Sequence, residues 1–229
     1  MSVFDRLVDA YPAWWIDALG EHNHIGGADT TRWLLERSGL QPGDSMLDAG
    51  AFVGAAARNA AVEAGARPIA TDIGLDFLLA GRSMPGGDRV GWMLATTAKL
   101  PFADGSFRST WCLDSYLSPK ELARVTAPGG TVCLCCEVPA NGRGGTEGFL
   151  EEWESHGLQL AAHKQVSLEA TQTWRNAEME LVRRRPHFEE RYGKRGYLAQ
   201  LDLVAELVRV YEYGQQGHGL FVFTRGDPD

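Results

Sequence analysis

Two acid-and-glycine segments carry the first chemical information in the chain. Met46-Leu47-Asp48-Ala49-Gly50-Ala51-Phe52-Val53-Gly54 is an apolar run that ends in an acid and passes through glycines into an alanine-rich stretch. A strand that turns in this way into a helix N-terminus lets a ligand approach the backbone closely. A dinucleotide fingerprint would read G-x-G-x-x-G and carry no acid just before its first glycine. Asp48 ahead of Gly50 suits an ammonium group, or the ordering of the loop, better than a pyrophosphate. The pattern favours an amino-acid-bearing nucleoside. Ala70-Thr71-Asp72 then sets an acid at the end of the next apolar run, 24 positions after Asp48, with Ile73 beside it. A carboxylate there can accept both hydroxyl protons of a ribose.

The elements that must position these acids read as a repeating strand, loop and helix. Apolar runs at 45–49, 67–71, 90–95, 109–113 and 131–138 predict strands, with helices at 55–64 and 75–81 between the first three. A helix over 149–156, a strand over 158–168, a helical stretch from about Ala170 to Tyr213 and a last strand over 218–224 complete the chain. Pro186 and Gly193–Gly196 break the long helical stretch. Before the sheet, aromatic and aliphatic residues from Phe4 to Leu19 recur at helical spacing around Pro12. A further helix, capped by Asp29, Thr30 or Thr31, runs to about Ser38. Strands alternating with helices indicate an α/β fold, a doubly wound, mostly parallel sheet of seven strands. One domain is expected over 1–229: N-terminal helices at 1–40, a cofactor-binding core at 41–168, a helical lid at 169–215 and the last strand at 216–229. An insertion of roughly 40 residues before that strand is long for a sheet connection. It can cap the carboxyl edge of the sheet, where ligands bind, or simply cover core or make a homodimer contact.

Composition narrows the partners. Of 229 residues, 44% are hydrophobic and 23% charged, the balance of a soluble globular domain. The net charge of -8 disfavours a surface built to grip nucleic acid. Arg183-Arg184-Arg185 is followed by Glu189 and Glu190 and reads as a solvated helix face. No apolar run approaches the roughly 18–20 residues that span a bilayer, and the N-terminus has no export signal, so a cytoplasmic protein is expected. Cys133, Cys135 and Cys136 crowd one predicted strand, and Cys112 lies in another. Buried, reduced thiols are the expectation, since the spacing matches no zinc pattern and metal is not called for.

The third informative segment is Ala98-Lys99-Leu100-Pro101-Phe102-Ala103-Asp104-Gly105-Ser106-Phe107, followed by W-C-L-D-S and A-R-V-T-A-P-G-G. The order D-A-G-x-x-x-G, Asp at the second strand, L-P-F-A-D-G-S-F, then R-V-x-x-P-G-G resembles the class I, S-adenosylmethionine-dependent methyltransferases of the type-11 group. The resemblance covers about residues 20 to 140, and the G-H-G-L-F-V-F-T-R ending is similar to the group's terminal strand. The loop H-N-H-I-G-G, with Gly26 and Gly27, resembles an H-x-H-P-G-G segment that lies over the methionine end of the cofactor. By that resemblance Asp48, Gly50 and Gly54 shape the cofactor loop, and Asp72 holds the ribose. Thr96 and Thr97 lie beside the adenine, while Leu113, Asp114 and Ser115 border the methionine and the acceptor. The acceptor is then a small molecule and the cofactor S-adenosylmethionine.

Three departures bear on the same pocket. Phe52 stands where the family has its middle glycine, placing a bulky ring where the backbone nears the cofactor. Thr96 replaces the acid that accepts the adenine amino proton, and a hydroxyl accepts more weakly than a carboxylate. The stretch from Ser115 to Ala127 is short, which shortens or deletes a helix beside the acceptor. These changes leave room for a methyltransferase-like protein that catalyses a cyclisation or rearrangement, or that only binds. An acceptor that must lose a proton needs a base. The candidates near the carboxyl edge of the sheet are His22, His24, Asp114, Tyr116 and Glu137, the last of which could instead pair with Arg175. Tyr11, Trp14, Trp15, Phe52, Trp92, Trp111 and Trp174 could line an apolar acceptor pocket, although core packing accounts for most of such residues.

Overall fold

The computed structural model describes residues 14–139 and 146–226. The expected helical segment from Phe4 therefore lies mostly outside the described residues, Tyr11 with it. Among the described residues seven strands form one sheet: β1 Ser45–Ala49, β2 Arg67–Asp72, β3 Gly91–Leu94, β4 Phe107–Leu113, β5 Thr126–Pro139, β6 Leu158–Gln165 and β7 Gln216–Arg225. Their order is β3-β2-β1-β4-β5-β7-β6. The first five run parallel, and β7 is antiparallel to both β5 and β6. The doubly wound, mostly parallel sheet expected from the alternation is thus present, with an antiparallel hairpin edge.

The strands read as apolar runs because the central ones are covered on both faces. Alternate residues go to opposite sides. Met46, Trp111, Leu113, Cys133, Cys135, Leu220 and Val222 enter one core, and Leu47, Cys112, Leu134, Cys136, Phe221 and Phe223 the other. The first core is closed by α1 (Trp15–Leu19), α2 (Gly27–Leu35), α3 (Ala55–Glu63), α7 (Ser167–Arg183) and α8 (Arg185–Glu212). The second is closed by α5 (Pro119–Val125) and α6 (Glu147–Glu154). The remaining helix, α4 (Leu75–Ser83), packs on β2 and β3. All four cysteines are buried free thiols.

Several boundaries differ from the sequence expectation. The second helix starts at Gly27 with Gly26 in the left-handed conformation (φ 75°) as its cap, ahead of the expected Asp29–Thr31. The strand expected to reach Leu168 stops at Gln165, because α7 begins at Ser167. The helix between β4 and β5 is shortened to seven residues, Pro119–Val125, and not deleted. The long helical stretch breaks at Arg184, ahead of Pro186, and kinks at Gly193 (φ 72°, ψ 158°).

The inserted helices α7 and α8 both cover core and reach the carboxyl edge of the sheet. Ala170, Trp174, Ala177 and Leu181 of α7 are buried. Contacts with α1 fix them: the Trp174 ring meets Trp15 edge-on at 5.2 Å, Tyr192 Oη donates to Asp17 Oδ2 at 2.7 Å, and Arg184 donates to the Asp17 carbonyl at 2.7 Å.

Candidate functional site

A cleft of about 810 Å³ opens at the carboxyl ends of β1, β2, β4 and β5. The strand order reverses direction between β1 and β4, the crevice where ligands of open α/β sheets bind. Its volume suits a ligand of nucleoside size with a second molecule beside it. Two halves of different character share it.

Gly50, Asp72, Ile73, Phe77, Thr96 and Thr97 line the first half. Asp72 is held at both oxygens: Oδ1 accepts the Gly74 N–H and Oδ2 the Phe52 N–H, each at 2.8 Å. Burial pushes its carboxyl above the usual value, against the opposing pull of the backbone N–H groups. Asp48 does not line the cleft. It is buried beneath the loop, accepts the Ala57 N–H at 3.2 Å, and burial drives its carboxyl to about 7. Of the two sequence readings of Asp48, the structure places it to order the loop.

Phe52 departs from expectation in a different way. Its backbone takes a glycine-like φ of 55°, but the ring turns inward, 1% exposed, and packs on Phe77 with centroids 4.8 Å apart. The bulky group is therefore in the core and the cleft stays open. A non-glycine residue in this conformation costs about 1–2 kcal/mol, which the buried ring offsets. Gly54 is also off the cleft wall; a Cβ there would lie 2.6 Å from the Trp92 ring, so it serves the close packing of loop on strand. Leu113 is buried in the core, and the cleft is reached by Asp114, Ser115 and Tyr116, which follow it. Thr96 Oγ1 accepts the Ala98 N–H at 3.2 Å, so its acceptor capacity is partly used locally.

The loop H-N-H-I-G-G has two sides. Asn23 and Ile25 face the cleft, whereas His22, His24, Gly26 and Gly27 line a second cavity of about 540 Å³ with Lys164 and Glu169. The expected role of Gly26 and Gly27 against the cofactor is thus not what their position gives. His24 Nε2 lies 2.9 Å from Thr31 Oγ1 and 3.0 Å from the Gly27 carbonyl. Burial lowers its pKa to about 4, so it is neutral and structural. Burial lowers His22 as well, and neither imidazole reaches the cleft as a base.

The second half of the cleft is walled by Trp15 and Trp174 and floored by Asp114, Glu137, Tyr211 and His218. Asp114 follows β4 with φ 46°, and its Oδ2 accepts the Ile25 N–H at 2.8 Å. The Cys135 thiol also points at Oδ2, at 3.6 Å. His218 stands on β7 directly across from Glu137 on β5, and its backbone N–H donates to Ser167 Oγ at 3.1 Å. Its Nε2 is 2.9 Å from Asp114 Oδ1 and its Nδ1 2.9 Å from Tyr211 Oη. Burial pulls the His218 pKa down, but the Asp114 and Glu137 carboxylates outweigh it and the net direction is up. Glu137 is open to the cleft, yet the protein around it, and then the Asp114 charge, push its carboxyl up. Arg175 does not pair with it, being bound to Glu212 at 2.8 Å through Nε. Tyr116 sits at the rim, 67% exposed.

Of the aromatic residues considered for the acceptor pocket, Trp15 and Trp174 line it, and Trp14, Trp111 and Phe52 are core. Phe77, Tyr211 and His218 were not singled out from the sequence. His218 emerges as the cross-strand partner of Glu137 only with the β5–β7 register in hand.

No family model matches the chain. A methyltransferase of Streptomyces halstedii, GfsG, is 32% identical over 130 residues, which cover 52% of this chain and 45% of that one. The match thus spans less than half the length of that relative. A protein from Galdieria sulphuraria, provisionally assigned as a sarcosine dimethylglycine methyltransferase, superposes with a TM-score of 0.81 at 17% identity, over 97% of this chain and 99% of that one. Phosphoethanolamine N-methyltransferase 2 of Haemonchus contortus, solved with S-adenosyl-L-methionine, superposes with a TM-score of 0.79 at 17% identity, over 99% of this chain and 60% of that one. The fold is that of the class I methyltransferases.

Proposed function

We propose that the chain is a methyltransferase that uses S-adenosylmethionine and a small-molecule acceptor. The observation that carries the reading is Asp72 at the end of β2, held by two backbone N–H groups with its remaining lone pairs open to the cleft at the sheet's switch point. That arrangement suits the two hydroxyls of a ribose. In this reading Ile73, Phe77, Thr96 and Thr97, which line the cleft, border the base, and Gly50 and Asn23 border the amino-acid end. The cofactor, when bound, supplies a methyl group on a sulfonium. The neighbours of the same fold named as methyltransferases support the reading.

Methyl transfer depends chiefly on alignment and on excluding water from the acceptor. Trp15 and Trp174 give the second half of the cleft an apolar wall that suits an apolar or aromatic metabolite. Glu137 faces this half with its carboxyl held up, and is placed to take a proton from an acceptor hydroxyl or amine. Asp114 is engaged by Ile25 and His218 and positions the floor. Calorimetric titration with S-adenosylmethionine and S-adenosylhomocysteine, with Asp72→Ala as control, tests the reading. Micromolar binding that the substitution abolishes is expected. Absence of binding to either nucleoside would sink it, and turnover without release of S-adenosylhomocysteine would point to a non-methylating reaction.

A further inference from the structure

We infer that Asp114, Cys135 and His218 form a zinc site in the floor of the cleft, with its fourth position open to the acceptor. Among the described residues these three bring their ligand atoms within 4.8 Å of one another. His218 Nε2 lies 2.9 Å from Asp114 Oδ1 and 3.4 Å from Cys135 Sγ, and that sulfur lies 3.6 Å from Asp114 Oδ2. A tetrahedral zinc ion bound by one sulfur, one imidazole nitrogen and one carboxylate oxygen sets its ligands about 3.3–3.6 Å apart. The separation of His218 Nε2 from Cys135 Sγ already lies in this range, and Asp114 Oδ1 reaches it by moving a few tenths of an ångström away from His218.

The surroundings fit a metal in three further respects. Cys135 and His218 come from β5 and β7, which are neighbours in the sheet, and Asp114 follows directly on β4, so two donors sit on strands and the third at a strand end. His218 Nδ1 is engaged by Tyr211 Oη at 2.9 Å, the partner that directs Nε2 to a metal, and Asp114 is fixed by the Ile25 N–H. Asp114 Oδ1 is buried against His218 Nε2, and a metal ion between the two would take the place of that contact. A thiolate, a carboxylate and a neutral imidazole also balance the charge of a divalent ion in a buried place. The thiol proton of Cys135 and any proton on Nε2 leave to solvent as the ion binds.

Asp114 and His218 line the cleft, and Glu137 stands opposite His218. Three protein ligands with an open fourth position are the pattern of catalytic zinc. An acceptor hydroxyl at that position would be acidified by the ion and lose its proton to Glu137. The sequence hides such a site because its ligands are far apart in the chain. Its use in methyl transfer rests on the function proposed above, whereas its ability to bind metal does not.

Chelator-stripped protein titrated with cobalt(II), and then with zinc(II), tests the site. One cobalt per chain is expected, with a near-ultraviolet thiolate-to-cobalt band that zinc abolishes. Cys135→Ser should lose the band, while Cys133→Ser, a buried thiol beside Ser109, should keep it. Tyr211→Phe should weaken zinc binding about 10-fold. Absence of the band in the unsubstituted protein, or its persistence in Cys135→Ser, overturns the site; the first result decides even if Cys135→Ser does not fold. S-adenosylmethionine titration of the same stripped sample separates the two ideas. Cofactor binding without the cobalt band removes only the zinc site, and the band without cofactor binding removes only the methyltransferase reading.

Discussion

Phe52 and Phe77 meet ring to ring at 4.8 Å, and this contact turns the most conspicuous departure in the glycine loop after β1 into a core feature. Phe77 reaches the cleft, while Phe52 lies behind it and is almost fully buried. Phe52→Ala should therefore cost about 3–5 kcal/mol of stability, the usual range for a buried phenylalanine. The folded fraction should keep its affinity for S-adenosylmethionine within a few-fold. Denaturant unfolding and calorimetry on the same preparation check both halves. Unchanged stability with lost binding would mean the ring belongs to the ligand site after all.

What the sequence made legible follows from how local each feature is. β1, β2, β4 and β5 stand out as apolar runs because the sheet is covered on both faces, so each strand carries its burial signal in consecutive residues. Asp72, Thr96 and Thr97 lie at or just past strand ends inside short motifs, and all three line the cleft. Tyr211 and His218 were not legible, since α8 and β7 bring them back from the far end of the chain. Their meeting with Asp114 and Glu137 depends on the antiparallel register of β5 with β7, which no local pattern encodes. Nor does sequence tell which side of a loop a residue faces, and His22 and His24 fall on the side away from the cleft.

The pH dependence of stability should carry the signature of Asp48. Its carboxyl titrates near 7 in the folded chain, against 3.8 as the ordinary value, so between about 4 and 7 the native state holds a proton the unfolded chain has lost. The contribution of this group to stability is then fully present at low pH, declines as pH rises through that window, and is level above it. Asp48→Asn keeps an acceptor for the Ala57 N–H and removes the titration. The difference in unfolding free energy, variant minus parent, should therefore grow in favour of the variant from pH about 4 to about 7 and then stop changing. A flat difference across the window would show that Asp48 titrates normally.

Glu137→Gln preserves shape and removes the proton acceptor that faces the apolar wall. With an acceptor found by screening, turnover should fall by about 10²-fold or more, the range for loss of a general base. Affinity for S-adenosylmethionine should hold, because Glu137 stands in the other half of the cleft from Asp72. Full turnover in the variant would take the proton-transfer role away from Glu137.

Gly50 and Ser115 test whether the cleft tolerates any side chain on the glycine loop. A Cβ on Gly50 would lie 1.9 Å from Ser115 Oγ and 2.5 Å from Ser115 Cβ. Rotating the hydroxyl relieves the first contact, but nothing short of backbone movement relieves the second. Gly50→Ala should therefore lower stability and cofactor affinity together, since the loop and the serine both line the cleft. Ser115→Gly removes both clashing atoms, so the double variant should recover most of the loss. A residual cost of about 1–2 kcal/mol remains, because φ of 75° at position 50 is strained for any residue with a Cβ. A double-mutant cycle in denaturant reads the coupling directly. Strict additivity of the two substitutions would mean that the loop moves away from β4 instead of pressing on Ser115.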